Sequence, residues 1–258
     1  METDMLELTR LPSHLNLTIA GNTVTSKFDL IIPCCNPPEG WVGQMTKDFR
    51  ELQGLMPGTE IRLILVNDGS VRNMHTALLQ ELALRIPGVR IIDHPVNRGK
   101  GYACRLGVAV SDASYIVCTD FDFPFGVEAV KRAFEQLLEG ADVVAGARGS
   151  QYVAMLPPAR KMITRVNRLM NRWLLQLPVS DAQAGLKAFN SRGRMEFLST
   201  RIDGFLYDSE FVKRAGRNKT LNIRSIPISC RPDIQFSDFR STVLLREFVN
   251  FMGLLVKR

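Results

Sequence analysis

Short apolar runs alternate with longer segments of helical periodicity through the first 150 residues. The apolar runs, each bounded by turn residues, predict strands at 28–33, 60–68, 88–93, 114–120 and 141–147. Apolar positions at helical spacing predict helices at 41–56, 73–86, 99–113 and 126–140. Strands and helices that alternate through short connections indicate an open, mostly parallel α/β sheet with helices on both faces.

The pattern after residue 150 is less regular. It predicts helices at 157–178 and 205–216, strands at 183–190 and 220–229, and a final amphipathic helix at about 240–257. The stretch 14–27 is a candidate edge hairpin. We therefore expect an N-terminal extension over 1–27, a main domain over 28–239 and a C-terminal amphipathic helix over 240–258.

The charge of the chain favours an acidic partner. The 258 residues carry a formal net charge of +7, which suits nucleotide phosphate, nucleic acid or an anionic membrane face. The two tryptophans and four tyrosines form no aromatic and basic platform of the kind that single strands need. Nucleic acid is therefore not an expected partner.

Cysteine usage and the start of the chain favour an intracellular protein. The five cysteines form no C-x-x-C pair, which fits reduced thiols better than a disulfide framework. The first ten residues, METDMLELTR, lack the basic and apolar regions of a signal peptide. No apolar run reaches the length of a membrane-spanning helix. These features predict a cytoplasmic protein.

Polar, charged and glycine residues follow all five strands predicted in the first half. The strand ends read PCCNPPEG, NDGS, DHPVNRGKG, DFD and GARGS. Ligands of open parallel sheets bind beyond the carboxyl ends of the strands. One such end is an ordinary turn, but five together indicate a site.

Two aspartates follow the strand YIVC. In an extended chain, Asp120 and Asp122 point to the same side with Cα atoms roughly 7 Å apart. They can then face one hard divalent cation, Mg²⁺ or Mn²⁺, whose charge offsets the crowding of two carboxylates. The alternative for this tripeptide is a turn with solvated carboxylates.

Two other strand ends suggest contacts to a nucleotide. In NRGKG, glycines open a helix beside Arg98 and Lys100, so free N–H groups and two cations could seat a diphosphate. In NDGS, Asn67 or Asp68 could accept a hydrogen bond from a base N–H. Taken alone, each segment is equally consistent with an ordinary surface turn.

The order and spacing of PCCN, VNDGS, NRGKGYACRLGVAVSDASYIVCTDFD and VVAGAR resemble those of family 2 glycosyltransferases with the GT-A fold. The later segments DAQAGLKAFN, FLYDSEFVKRAG and NIRSIPIS resemble the branch that makes dolichyl- or polyprenyl-phosphate sugars. The resemblance covers about residues 28–230. It implies a UDP- or GDP-sugar donor, a divalent metal, inversion at the anomeric carbon, a nucleotide-sugar half over 28–150 and an acceptor half over 151–239.

The resemblance also implies roles for individual residues. Metal binding falls to Asp120 and Asp122, with Asp120 on the ribose or on the same ion. The implied donor-binding residues are Pro33, Asn36, Glu39, Asn67, Asp68, Arg98, Lys100 and Gly101. The implied acceptor-binding residues are Arg148, Arg160, Thr164, Gln183 and Lys187. Asp208 and Glu210 match the acidic motif that faces the donor sugar, and they are the base candidates if the acceptor is a hydroxyl.

Residues 149–180 contain no acidic side chain and suggest a membrane contact. One predicted helical stripe is basic and comprises Lys161, Arg165, Arg168 and Arg172. The adjacent stripe is apolar and comprises Met162, Val166, Leu169, Trp173 and Leu177. Such a helix is typical of a membrane interface, here the cytoplasmic face, and the alternative is a helix that packs on the core.

Three functions remain open on the sequence alone. The first is glycosyl transfer to a polyprenyl phosphate at a membrane surface. The second is transfer to a glycan or another hydroxyl acceptor. The third is a catalytically silent nucleotide-binding protein on the same fold, which Asp120, Asp122 and Lys100 argue against.

Overall fold

The computed structural model describes residues 26–149, 161, 179, 181–182 and 184–232. The strands are β1 (Ser26–Cys34), β2 (Thr59–Asp68), β3 (Arg90–His94), β4 (Tyr115–Cys118), β5 (Val143–Arg148), β6 (Lys187–Asn190) and β7 (Ile223–Ile228). The helices are α1 (Trp41–Leu55), α2 (Thr76–Arg85), α3 (Lys100–Val110), α4 (Val127–Leu138), α5 (Ser191–Leu198) and α6 (Tyr207–Arg217).

The strands form one seven-stranded sheet in the order β3-β2-β1-β4-β6-β5-β7. All neighbours pair in parallel except β6, which runs antiparallel to both β4 and β5. From β1 the chain continues to β2 on one side, whereas β4 lies on the other side. The connections after β1 and β4 therefore diverge, and a crevice opens at the carboxyl ends of these strands. The α/β prediction is confirmed.

Both faces of the sheet are covered, which explains the continuous apolar runs of the central strands. On the face that carries α1 and α4, Phe28 packs against Phe134 with ring centroids 4.5 Å apart and the rings tilted by 35°. On the face that carries α3, α5 and α6, Ile31 joins a cluster that includes Phe197 and Phe211. Each strand thus contributes alternate side chains to two separate apolar layers.

A buried ion pair links β1 and β2 near the amino-terminal ends of these strands, away from the crevice. Asp29 is fully buried, and Arg62 binds it through two hydrogen bonds of 2.9 and 2.5 Å. Ser111 adds a third hydrogen bond of 2.6 Å to the same carboxylate. A buried carboxylate is tolerated only when its oxygens are satisfied in this way.

The segment after β4 differs from the expectation. The strand ends at Cys118 rather than at residue 120, and residues 120–123 form a turn in which the Phe123 N–H donates to Asp120 O over 3.1 Å. Phe123 is fully buried with φ at 44°, a conformation that bulky side chains rarely adopt. Asp120 and Asp122 are therefore neighbours in a turn, not alternate residues of an extended strand.

The second half also differs in detail. The strand expected over 183–190 is regular only from Lys187, and α5 was not predicted at all. The side chain of Asn190 caps α5 by accepting the N–H groups of Arg192 and Gly193. Apart from residues 26, 27 and 161, the predicted hairpin and the helices at 157–178 and 240–257 lie outside the described residues. Among those that are described, no helix has the length and apolarity needed to cross a bilayer.

Candidate active site

Two carboxylates lie in the turn that follows β4, at the crevice between β1 and β4. Burial and the charge of Asp120 both raise the pKa of Asp122, so the two groups are close enough to repel each other. A cation between them would remove this repulsion. The turn therefore brings Asp120 and Asp122 together as the sequence predicts, although by a different backbone path.

The ammonium of Lys100, the first residue of α3, forms an ion pair with Asp120. Burial alone would lower the pKa of Lys100, but the charges of Asp120 and Asp208 outweigh it and raise this pKa above its usual value. Lys100 is therefore charged at any physiological pH. Its Nζ also lies 6.0 Å from the centre of the Tyr207 ring.

A second ion pair is buried in the same region. Lys187 on β6 is 0% exposed, and its Nζ lies 2.9 Å from Asp208 Oδ1 and donates to Ala184 O. Burial raises the pKa of Asp208, and the charges of Lys187 and Lys100 oppose that rise. Asp208 lies in the first turn of α6 and is 3% exposed. The predicted roles of Asp208 in catalysis and of Lys187 in acceptor binding stay predictions.

The backbone at Gly185 lies directly against the side chains of Asp120 and Lys100. A Cβ atom at this position would lie 2.1 Å from Asp120 Oδ2 and 2.9 Å from Lys100 Nζ. Only glycine leaves room for the pair as it stands. Sequence reasoning missed this residue, although a glycine just before a strand is a recognised signal of close backbone approach.

The amide groups around the start of α3 are already bonded. The N–H groups of Arg98 and Gly99 donate to the two carboxylate oxygens of Asp68 over 2.9 and 2.8 Å. Those of Gly101 and Tyr102 donate to the carbonyl oxygen of Asp203 over 2.8 and 3.3 Å. The free N–H groups expected at this segment are therefore engaged within the protein at these four residues.

The loop over 199–206 reaches α3 because Glu210 anchors it. Glu210 Oε2 accepts the N–H groups of Arg201 and Ile202, each over 2.8 Å. The carboxylate of Asp203 in turn pairs with Arg98 and Arg105. Sequence reasoning missed Asp203, which no local pattern distinguishes, and the predicted catalytic role of Glu210 stays a prediction.

The residues predicted to read the base connect three strand ends. Asn67 donates to Asp93 over 2.6 Å and accepts the N–H of Ser70 over 3.1 Å. Asn36 Oδ1 accepts the N–H groups of residues 71 and 72. Of the other two predicted donor contacts, Pro33 is buried within β1 and Glu39 is exposed beyond it.

The predicted acceptor residues are only partly described. Arg148 at the end of β5 binds Asp181 through two hydrogen bonds, Nε to Oδ2 over 2.6 Å and Nη2 to Oδ1 over 2.9 Å. Sequence reasoning missed Asp181, which is 2% exposed. Arg160, Thr164 and Gln183 lie outside the described residues.

The carboxylate turn fits a divalent metal. Within the part of the chain that the structure describes, no group of three or more His, Cys, Asp or Glu side chains could hold an ion. Two carboxylates, Asp120 and Asp122, are nevertheless the usual protein share of a Mg²⁺ site, where water and substrate phosphates complete the coordination. The structural observation that supports this fit is the donor set itself: two carboxylates two residues apart in one turn after β4, with Asp120 partly exposed.

Comparisons with known proteins identify the family. The family model described as "Glycosyl transferase family 2" matches residues 29–192. The bactoprenol glucosyl transferase of Shigella phage SfX is 27% identical over 125 residues, which are 48% of this chain and 40% of that protein. The dolichyl-phosphate beta-glucosyltransferase ALG5A of Trichomonas vaginalis is 24% identical over 176 residues, 64% of this chain and 53% of that protein. The chain spans about half the length of these relatives.

Solved structures show the same fold. The glucosyl-3-phosphoglycerate synthase of M. tuberculosis aligns with a TM-score of 0.60 and 16% identity over 89% of this chain and 81% of its own. The mannosyltransferase PcManGT of Pyrobaculum calidifontis, in complex with GDP-Man and Mn²⁺, aligns with a TM-score of 0.60 and 15% identity over 88% and 64%. The GT-A fold expected from the sequence is confirmed.

Proposed function

Because the chain belongs to glycosyl transferase family 2, we propose that it is a metal-dependent, inverting glycosyltransferase that moves a sugar from a nucleotide-sugar to a polyprenyl phosphate. The observation that carries the proposal is the convergence of Asp120, Asp122 and Lys100 at the crevice beyond β1 and β4. Two carboxylates for a metal and one cation for a diphosphate are what a nucleotide-sugar donor requires.

The donor half of the proposal assigns a task to each of these side chains. Asp122 holds Mg²⁺ or Mn²⁺, Asp120 contacts the ribose or the same ion, and Lys100 binds the diphosphate. An ion held there by Asp120 and Asp122 would supply positive charge to the negative charge that develops on the leaving nucleoside diphosphate. Support comes from structural neighbours in complex with Mn²⁺ and UDP, with Mg²⁺ and UDP, and with GDP-Man and Mn²⁺.

The acceptor half rests on the relatives and on the contacts of the two base candidates, Asp208 and Glu210. Two relatives are named for bactoprenol and dolichyl phosphate. A phosphate acceptor is already ionised at pH 7, whereas a hydroxyl acceptor needs a general base. Of the base candidates, Asp208 pairs with Lys187, and Glu210 accepts two backbone amides. Residues 149–180 add no carboxylate. An acceptor that needs no base is therefore favoured.

A lipid acceptor implies that the reaction takes place at a membrane surface. We place the protein peripherally on the cytoplasmic face of the membrane, with the basic and apolar stripes of residues 161–177 as the contact. Basic residues near an anionic surface contribute roughly 1 kcal/mol each, which is sufficient for reversible binding when several act together.

A transfer assay tests the proposal. The protein is incubated with a panel of UDP- and GDP-sugars, Mn²⁺ or Mg²⁺, and polyprenyl phosphate in detergent, and the lipid product is identified by mass spectrometry. We expect a lipid-linked sugar of inverted anomeric configuration, and none in EDTA. Transfer only to 3-phosphoglycerate or a glycan would identify a hydroxyl acceptor instead. Nucleotide binding without turnover on any acceptor would identify a silent binding protein.

A further inference from the structure

Lys187 is an unusual residue for the centre of a sheet. It lies on β6, opposite Cys118 of β4 on one side and Ala145 of β5 on the other. Its side chain is 0% exposed, so its ammonium depends entirely on protein partners. Those partners are Ala184 O and Asp208 Oδ1. Two full charges are thus buried directly behind the turn that carries Asp120.

Lys100 couples this buried pair to the candidate site. The two pairs meet at the backbone of residues 184 and 185: Lys187 donates to Ala184 O, and a Cβ atom at Gly185 would lie 2.9 Å from Lys100 Nζ and 2.1 Å from Asp120 Oδ2. The four side chains comprise two ammonium and two carboxylate groups, so their charges balance. Each ammonium has one carboxylate as its ion-pair partner.

The energetics of such a pair point away from a purely stabilising role. A buried ion pair contributes little net stability compared with apolar side chains of the same size. Removal of one partner alone is costly, because an uncompensated charge then stays buried. What Asp208 does provide is a counter-charge for Lys187, at a depth where solvent would screen an unbalanced ammonium only weakly.

We propose that Asp208 is a positioning residue: by balancing the buried Lys187 charge it keeps the Lys100 ammonium on Asp120, in the orientation that receives the donor diphosphate, and it does not take a proton from the acceptor. The inference rests on the proposed function, because Lys100 meets a diphosphate only if the donor is a nucleotide-sugar. The geometry supports it, since the Asp208 carboxylate is 3% exposed and engaged by Lys187.

The physical consequence is a specific pattern of charge dependence. Without the Asp208 charge, the Lys187 ammonium is buried without a counterion, and its positive charge repels that of Lys100. Lys100 is then displaced, and diphosphate binding weakens. If Lys187 is removed as well, the charge balance returns, and Lys100 pairs with Asp120 as before. A lost general base could not be restored in this way.

A double-mutant cycle tests this pattern. The four proteins are the wild type, Asp208→Asn, Lys187→Met and the double variant. Calorimetry with UDP and GDP in Mn²⁺ gives the dissociation constant of the diphosphate, and thermal unfolding gives Tm. We expect Asp208→Asn to weaken diphosphate binding about tenfold, and the double variant to recover most of that loss, a coupling of the size found between contacting residues.

The outcomes separate the inference from the proposed function. If the wild type binds neither UDP nor GDP, the proposed function is wrong, and the inference falls with it. If the wild type binds, but Asp208→Asn keeps full diphosphate affinity while kcat falls and the double variant regains nothing, Asp208 is a catalytic base and the inference alone is overturned. Should Asp208→Asn fail to fold, the charge-balanced double variant decides: near wild-type affinity supports positioning, and lost affinity contradicts it.

Discussion

Replacement of Gly185 by alanine is the smallest change that should disable the candidate site without disrupting the fold. The added Cβ would lie 2.1 Å from Asp120 Oδ2, 2.7 Å from its Cγ and 2.9 Å from Lys100 Nζ. All three atoms belong to side chains, so the backbone can stay in place while the carboxylate and the ammonium move away. The clash therefore displaces Asp120 and Lys100, the two side chains that we propose to contact the donor.

The size of the effect follows from these distances. A carbon and an oxygen in contact need about 3.4 Å, so the Asp120 carboxylate must move by roughly 1.3 Å. A misplacement of about 1 Å at a reacting centre can cost on the order of 10²-fold in rate, or about 2.7 kcal/mol. The cost in stability is smaller, because the Asp120 side chain is 31% exposed and can turn towards solvent.

Two other glycines supply matched controls. Gly43 lies within α1 with no atom near its Cβ position, so Gly43→Ala should stabilise the protein by up to about 1 kcal/mol and leave activity unchanged. A Cβ at Gly107 would lie 2.5 Å from Ile31 Cγ2 in the core, so Gly107→Ala should lower Tm. The three variants separate a site effect from a fold effect.

The assay combines kcat/KM for sugar transfer, Mn²⁺ affinity by calorimetry, and Tm. Gly185→Ala should lose about 10²-fold in kcat/KM with weakened Mn²⁺ binding, while Tm changes less than in Gly107→Ala. Wild-type kcat/KM in Gly185→Ala would refute the reasoning, because Asp120 would then not need its present position. A fall in Tm as large as that of Gly107→Ala would show that Gly185 is needed for the stability of the fold rather than for the site.

Three further predictions follow from other parts of the chain. Asp122→Asn should abolish Mn²⁺ binding and transfer without loss of Tm, because the neutral amide also removes a repulsion; undiminished transfer in EDTA would contradict the metal assignment. Arg62→Met should destabilise the fold by about 3–5 kcal/mol in urea unfolding by leaving Asp29 buried and unpaired, whereas exposed Arg85→Met should not. Replacement of Arg165, Arg168 and Arg172 by glutamate should weaken binding to anionic liposomes. Unchanged binding in this variant would favour a helix that packs on the core.

The order of elements was predictable because it is encoded locally. Apolar runs and helical periodicities determine each element from its own residues, so the strands and helices of the first half were found within a few positions. The place of β6 between β4 and β5, antiparallel to both, was not predictable, because strand order depends on pairings between distant segments. Likewise, α5 depends on a cap by Asn190 more than on any repeated apolar pattern.

In the candidate site, too, residues with explicit chemistry were predictable, whereas contacts between distant segments were not. Asp120, Asp122 and Lys100 were identifiable because their side-chain chemistry is explicit in the sequence. The partners Asp203 and Gly185 were not, since each contacts the site across a long stretch of chain: the Arg105–Asp203 pair, for example, spans 98 positions. No local pattern distinguishes Asp203, and a glycine before a strand signals a close approach without identifying the group that approaches.

The glycines of NRGKG show why local patterns can support two opposite conclusions. A glycine at a helix start permits close approach, but the sequence does not say of what. Here the approaching groups are carbonyl oxygens of the protein itself: a Cβ at Gly99 or Gly101 would lie 2.4 Å from the oxygen of residue 203 or 202. With those amides occupied, the Lys100 ammonium is the group of this segment that the proposed function assigns to the diphosphate. Under the same proposal, Asp208, a residue behind the site, matters to donor binding because it balances the charge of the buried Lys187.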